Sequence, residues 1–466
     1  MKQSTECVRI RMFRQGLGDS FLLSFPGDAG EVHVLIDFGV LLGTPDAKAK
    51  MQEVAGHIVS ATNGKLDVMV ATHEHWDHVS GFAQAQALLE RDKLEVGESW
   101  VAWTEKPGEP LADELRGRRA AALNRIAAAS RQIGASADPS AQKSAARLNA
   151  ILEFWGGQGA AARATTRTAM DWVKSRTAPR PPRYLFPGET FTLPGAKRVR
   201  VYVLGPPHDS KWIRKSDPTK SASEVYQLAA ASGADFSLFS AIDALEAGAM
   251  PGDQPFDEWF RISEKAARRN AFFRDRYDKG PAWRRIENDW LGPSGALALQ
   301  LDSDTNNTSL VLAFELGDSG GVLLFPADAQ VGNWMSWDEI EWSVDADGGA
   351  AARKVRAGQL LARTVFYKIG HHGSHNATLR EKGLELMTDD GLVAMLPLDR
   401  PTASKMEWNM PFPSLYERLG ERCRGRILDL ELGMPAKPPG MSEADWARFQ
   451  QRVDVQDDWI DYRIPL

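Results

Sequence analysis

Three histidines and an aspartate fall within six residues of one another: His73, His75, Asp77 and His78. An apolar run, Leu66-Asp67-Val68-Met69-Val70-Ala71, leads directly into them. That run is short and partly β-branched, which predicts a buried strand. Gly81 and a helical pattern over 82–90 follow it. The four side chains would then stand on a tight loop between a strand and a helix. Neutral imidazoles and a carboxylate are donors favoured by borderline-soft cations such as Zn²⁺. The His-x-His spacing suits two donors aimed at one ion. Asp77 and His78, at the start of the helix, could point at a second ion beside it. The competing reading is a solvent-facing histidine cluster, and the density of donors at a strand end argues against it.

The stretch resembles the His-x-His-x-Asp-His signature of the metallo-β-lactamase superfamily. Upstream, residues 7–13 alternate as Val8, Ile10 and Met12, the pattern of a half-buried strand. Residues 16–20 form a turn and 21–25 a second strand. Residues 32–36 form a third, ending at Asp37-Phe38-Gly39. This order is similar to the opening hairpin of the superfamily. The resemblance implies that Asp37 lies behind the metal site and orients a ligand histidine, as outer-sphere carboxylates do. Without it, Asp37 merely starts a turn. Residues 47–61 have helical spacing (Met51, Val54, Ile58), with His57 read as a structural histidine, and 96–103 read as a further strand.

In the C-terminal half, strands are predicted at 296–301, 309–314, 321–325, 365–369 and 392–396, with a polar turn over 302–308. Three blocks narrow the resemblance: Asn306-Asn307-Thr308-Ser309-Leu310-Val311-Leu312, Leu323-Leu324-Phe325-Pro326-Ala327-Asp328, and Tyr367-Lys368-Ile369-Gly370-His371-His372-Gly373-Ser374. They resemble blocks of the hydrolase domain of ComEC-type competence proteins and its soluble relatives. The implied fold is an α/β, metallo-β-lactamase-like αββα sandwich carrying large helical insertions. The implied metal ligands are His73, His75, Asp77, His78, Asp328 and His371. Asp328 would bridge two cations, with Ala327 standing where the family has glycine. His372 is the alternative to His371, or else a catalytic and substrate contact together with Asp77. Ser374 and His375 are placed to donate to substrate oxygens or to the leaving group. Asn306 or Asn307 would hold the loop near the site. Elsewhere the family has a mid-chain ligand histidine, and His208 is the one candidate between His78 and His371. Lys368 reads as structural.

Between these halves the chain changes character. Residues 111–134, 141–154 and 165–176 read as helices, ended by Pro179-Arg180-Pro181-Pro182. Residues 198–204 form a strand, and 221–231 and 256–277 are helical. From Arg261 to Arg285 nine Lys or Arg stand against three acids, interleaved with Trp259, Phe260, Phe272, Phe273, Tyr277 and Trp283. Such a segment can hold phosphates and stack bases; it is more often the pattern of an amphipathic helix with its aromatics in the core and its charges solvated. The expected organisation is 1–104 as the first half of the sandwich and 105–182 as a helical insertion. Residues 183–208 supply sandwich strands, 209–294 a second, basic insertion, and 295–466 the second half with a C-terminal extension. Both insertions would cap the site and select the substrate.

The 466 residues carry a net charge of −6, so the chain as a whole is not an electrostatic binder of nucleic acid. Cys7 and Cys423 imply no disulfide framework. No apolar run approaches the roughly 20 residues of a membrane span. A cytoplasmic protein without a membrane partner is the expectation. The expected function is a metal-dependent hydrolase, a phosphodiesterase or nuclease, using two Zn²⁺ or alternatively Mn²⁺. Its substrate would contain phosphate, with nucleic acids and nucleotides as candidates. One alternative is cleavage of another ester, thioester or lactam on the same site. Another is a partner-dependent effector or sensing module, whose protein contacts would be the acidic, Trp-rich segments 334–342 and 454–462; ordinary packing is the competing reading of both segments.

Overall fold

Period-2 alternation decides which way each strand faces. In β1 (Cys7–Phe13), Val8, Ile10 and Met12 enter one core while Phe13 enters another. β2 (Ser20–Gly27) sends Phe21, Leu23 and Phe25 to the first core and Leu22 to the second. β3 (Gly30–Phe38) and β4 (Lys65–Ala71) divide in the same way, with Val34, Ile36, Val68 and Val70 opposed to Leu35 and Met69. A strand with apolar residues on both faces must be covered on both.

The structure, a computed structural model, describes residues 6–134, 165–215, 300–317, 319–344, 353–406 and 408–466, with short pieces between 142 and 155 and between 266 and 278. The chain forms two compact units: residues 1–116, 153–228 and 302–466 make one, and 117–152 with 229–301 the other. The first unit is mixed α/β. It contains β5 (Glu95–Ala102), β6 (Arg183–Leu185), β7 (Thr190–Leu193), β8 (Ala196–Gly205), β9 (Val311–Leu316), β10 (Val322–Phe325), β11 (Glu341–Val344), β12 (Arg353–Arg356), β13 (Thr364–Lys368), β14 (Val393–Leu396), β15 (Ile427–Asp429), β16 (Val453–Val455) and β17 (Trp459–Pro465). One sheet runs β16-β17-β1-β2-β3-β4-β5-β6 and a second runs β15-β14-β13-β10-β9-β8-β7, with β11 and β12 as a separate hairpin. Each large sheet is antiparallel on one side and parallel on the other, the change falling at β3/β4 and at β10/β13. The two sheets share one core. Phe21 meets Phe325 edge-on at 5.8 Å, and Phe25 lies 5.5 Å from Phe314. On the far face of the first sheet, α1 (Ala47–Ala61) buries Met51, Val54 and Ile58, and α2 (Trp76–Gln84) buries Val79 and Phe82.

Several boundaries differ from the sequence expectation. The helix Thr166–Ser175 belongs to the first unit, not to an insertion. It is started by the Thr165 cap and buries Ala169, Met170 and Val173 in the same core as Phe82. The C-terminal segment is integral to the first sheet. β17 pairs with β1 from Cys7↔Pro465 to Phe13↔Trp459, and Arg11 clamps Asp461 through two buried bonds of 2.7 and 2.8 Å. Trp334, Trp337 and Trp342 are buried rather than displayed, so packing accounts for them. Residues 300–306 are helical where a strand and a polar turn were expected, with the Asn307 N–H bonded to the Ser303 carbonyl at 2.9 Å. The predicted helix at 221–231, most of the basic stretch 256–285 and strand residues 296–299 lie outside the described residues. No helix among the described residues is long and apolar enough to cross a membrane.

Candidate metal centre

The parallel strands end where the chemistry-bearing residues begin. Asp37 closes β3, residues 72–78 follow β4, Asp328 follows β10, Lys368 ends β13 ahead of His371 and His372, and Pro397 follows β14. Carboxyl ends of parallel strands are where open α/β sheets gather ligands.

Glycines let the backbones approach. A Cβ on Gly39 would lie 2.4 Å from the Asp77 carbonyl, and one on Gly18, whose φ is +147°, would lie 2.6 Å from the same oxygen. Asp19, next to Gly18, donates its N–H to that carbonyl at 3.0 Å. The turn after β1 therefore packs directly beneath the Asp77–His78 step. In the loops that follow β10 and β13, Ala327 (φ 50°), His371 (φ 42°) and His372 (φ 51°) have left-handed backbones although none is glycine. Such strain clusters where side chains must converge. Ala327 nonetheless completes the turn expected of a glycine, and its carbonyl accepts from Lys368 Nζ at 2.9 Å.

Side chains distant in sequence meet here. His78 Nε2 lies 3.0 Å from Asp328 Oδ2 and 3.7 Å from Asp77 Oδ2; His372 Nε2 lies 3.1 Å from Asp77 Oδ2. Asp77, His78, Asp328 and His372 offer one donor atom each within 4.8 Å of one another, all buried. Beside them His73 Nε2 faces His75 Nδ1 at 3.0 Å, and the His73 ring lies 4.2 Å from that of His78. Asp37 stands behind this group. It accepts from the Thr72 N–H (2.8 Å), the Thr72 hydroxyl (2.7 Å) and His78 Nδ1 (2.8 Å).

Other candidates fall elsewhere. His372, not His371, joins the four-donor group. The His371 ring accepts from Gln330 Nε2 at 3.3 Å, while the His371 backbone N–H reaches Asp328 Oδ1 at 3.2 Å. The reason is local: two successive left-handed residues turn adjacent imidazoles in different directions. His208 is bonded to Glu109 at 3.0 Å and packed edge-on against Trp103, away from the cluster. His57 pairs with Asp458 at 3.1 Å. Asn307 is a staple: its amide bonds the carbonyls of Ile213 and Lys215, and its oxygen accepts from the Asn333 N–H. Ser374 caps a local turn through Asn376, and His375 is exposed beside Phe412.

The sequence reading missed three groups. Asp19, from what looked like an ordinary turn, forms a buried ion pair with Lys368 Nζ, which also lies 3.3 Å from Asp328. Lys368 is therefore part of the site's charge balance. Asp302, from a polar run, lies 3.8 Å from His75. The signal available for Asp19 was an acid between two strands whose ends lead to the site; for Asp302 it was an acid in the same run as Asn306.

Electrostatics test whether a cation fits. Asp19, Asp37, Asp77, Asp302 and Asp328 surround the cluster, and Lys368 is the lysine among them. Unpaired buried carboxylates are costly and call for positive charge. Burial, together with Asp77 and Asp328, pushes the Asp302 carboxyl up to about 8. Burial also drives His75 down to about 3, keeping it a neutral donor. For His78, burial acts downwards but Asp328, Asp77, Asp37 and Asp19 overcome it and hold the imidazole well above its ordinary range. Asp77 Oδ1 and His75 Nε2 are buried without hydrogen-bond partners among the described residues. A carboxylate-rich donor set of nitrogen and oxygen only fits a divalent cation. Asp77, His78, Asp328 and His372 could hold one, with His73 and His75 offering donors beside it.

No protein-family model matches the chain, and neither does any curated protein or solved structure.

Proposed function

We propose that this protein is a metal-dependent hydrolase with a metallo-β-lactamase-like αββα sandwich, acting on phosphodiesters through two cations, Zn²⁺ or Mn²⁺. The observation that carries this reading is the meeting of the 73–78 loop with Asp328 and His372 across about 250 to 300 residues of chain, as in the His78–Asp328 and His372–Asp77 contacts. The pairing of two sheets with parallel strand ends directed at that loop supports it. The preference for phosphate esters rests on the resemblance of the 367–374 block to ComEC-type hydrolases.

His73 Nε2 and His75 Nδ1 would hold one cation. Asp77, His78 and His372 would hold the other, and Asp328 would serve both. When bound, such cations neutralise charge on a phosphoryl oxygen and make water a competent nucleophile near neutral pH. The chain's own groups do the rest. Asp77 Oδ1, without another partner, accepts a proton from the attacking water. Asp37 fixes His78 with its Nε2 lone pair inward, and the Pro397 carbonyl, which can only accept, does the same for His372 at 2.6 Å. Lys368 holds Asp328 in place from behind.

The test is hydrolysis of bis-p-nitrophenyl phosphate by chelator-stripped protein reloaded with Zn²⁺ or Mn²⁺. A panel of cyclic dinucleotide, single-stranded DNA, RNA, thioester, lactone and β-lactam runs alongside. Turnover restored by cation and abolished by His75→Ala and Asp328→Asn supports the reading. Phosphodiester turnover that survives both substitutions contradicts it, and turnover confined to the thioester or lactam arms moves the substrate class.

A further inference from the structure

Each of the four clustered histidines turns one ring nitrogen inward and the other outward. Three of the outward nitrogens sit on an oxygen. His73 Nδ1 is 3.1 Å from Thr72 Oγ1, whose own proton goes to Asp37. His78 Nδ1 is 2.8 Å from Asp37, and His372 Nδ1 is 2.6 Å from the Pro397 carbonyl. His75 is the exception. Its Nε2 is buried and has no hydrogen-bond partner among the described residues. Among the described residues the carboxylate beside it is Asp302, whose Oδ1, 3.8 Å away, is likewise buried and without a partner there. The other oxygen of Asp302 is held by Asn306 Nδ2 at 3.1 Å. The rings of Phe154 and Trp155 flank His75 at 5.5 and 4.8 Å.

Two buried polar atoms without a partner among the described residues thus face each other just beyond bonding range. We propose that Asp302 is the positioning residue of His75: it accepts the Nε2–H, fixes the tautomer that leaves Nδ1 free beside His73 Nε2, and raises that nitrogen's basicity toward a cation. The gap needs to close from 3.8 Å to about 2.9 Å, the ordinary N–H···O length. A cation that draws in Nδ1 fixes the proton on Nε2 and supplies the reason to close it. Ligand histidines generally donate their second ring N–H to a carboxylate, carbonyl or water. Asp302 is set on the opposite side of the imidazole from His73, so it acts through His75 and not on the cation itself. The inference rests on the reading above that His73 and His75 hold a cation.

The experiment measures Zn²⁺ stoichiometry and affinity by competition with a chromophoric chelator in wild type, Asp302→Asn and Asp302→Leu. Long-range ¹H–¹⁵N correlation of the histidine rings in the Zn²⁺-loaded wild type reports the His75 tautomer. Two Zn²⁺ are expected in every variant. One of them should bind about 10- to 100-fold more weakly in Asp302→Leu and less weakened in Asp302→Asn, which keeps an acceptor oxygen. His75 should carry its proton on Nε2. Unchanged affinity in Asp302→Leu overturns the proposal. So does a proton on Nδ1 of His75 in the wild type, a result that does not depend on any variant folding. A drop to one Zn²⁺ in Asp302→Asn would make Asp302 a direct ligand and also overturn it. Wild type that binds no Zn²⁺ removes the functional reading itself, a failure distinct from the others.

Discussion

Lys368→Met is the perturbation that weighs the charge balance of the site. The Lys368 ammonium is buried and is shared by Asp19, by Asp328 at 3.3 Å and by the Ala327 carbonyl at 2.9 Å. Methionine fills similar volume but removes the charge and leaves two carboxylates facing a dry space. Breaking one partner of a buried ion pair costs about 3–5 kcal/mol. In chelator, the variant should lose stability of that order in urea unfolding followed by tryptophan fluorescence. Zn²⁺ changes the sum. Cation at 100 times its dissociation constant adds about 2.7 kcal/mol to any form that binds it. The variant, freed of a competing positive charge beside Asp328, should bind it more tightly. Each tenfold gain in affinity shrinks the deficit by about 1.4 kcal/mol. The expected result is therefore a stability gap that is large in chelator and smaller with Zn²⁺. A gap of equal size in both conditions, or no gap in chelator, refutes the reasoning that Lys368 and a cation neutralise the same carboxylates.

Three further outcomes follow from particular contacts. His372→Ala should lose cation, while His371→Ala, whose ring is held by Gln330, should retain it, as read by metal content after dialysis. Ala327→Gly relieves a left-handed φ of 50° and should raise thermal stability by about 1 kcal/mol; a loss would mean that the methyl group packs productively. Glu315 pays for its burial, but the Tyr202 hydroxyl, Arg363 and Arg353 overcome this and hold its carboxyl below 4.5. Its contribution is present above 4.5 and is lost as pH falls through the lowered value, so Glu315→Gln should flatten stability against pH below 4.5.

Much of the scaffold was legible because the strands either alternate with period 2 or form short apolar runs bounded by turn or polar residues. That pattern placed β1 to β5 and β10, β13 and β14 to within a few residues. Pairing between distant strands was not legible. Nothing local in Trp459–Pro465 says that it lies against β1, since its register is fixed by Arg11–Asp461 and by a shared core. Within the site, the residues clustered in sequence were readable because a ligand motif concentrates them. Asp19, Asp302 and the choice of His372 over His371 were not readable, because each depends on backbone geometry. Gly18 allows Asp19 to reach the Asp77 carbonyl, helical residues 302–306 lift Asp302 towards His75, and two left-handed residues separate the paired imidazoles. His208 as a candidate ligand and the 334–342 tryptophans as a contact surface each had a packing alternative, and local sequence could not choose between the two. A histidine between prolines found Glu109, and Trp334, Trp337 and Trp342 found the core.

Anomalous diffraction from crystals of the protein grown with Zn²⁺ tests the central claim most directly. Two peaks are expected, one about 2.0–2.2 Å from His73 Nε2 and His75 Nδ1 and the other at that distance from Asp77, His78 and His372, with Asp328 touching both. Peaks confined to other residues, or none within this cluster at saturating Zn²⁺, would contradict it.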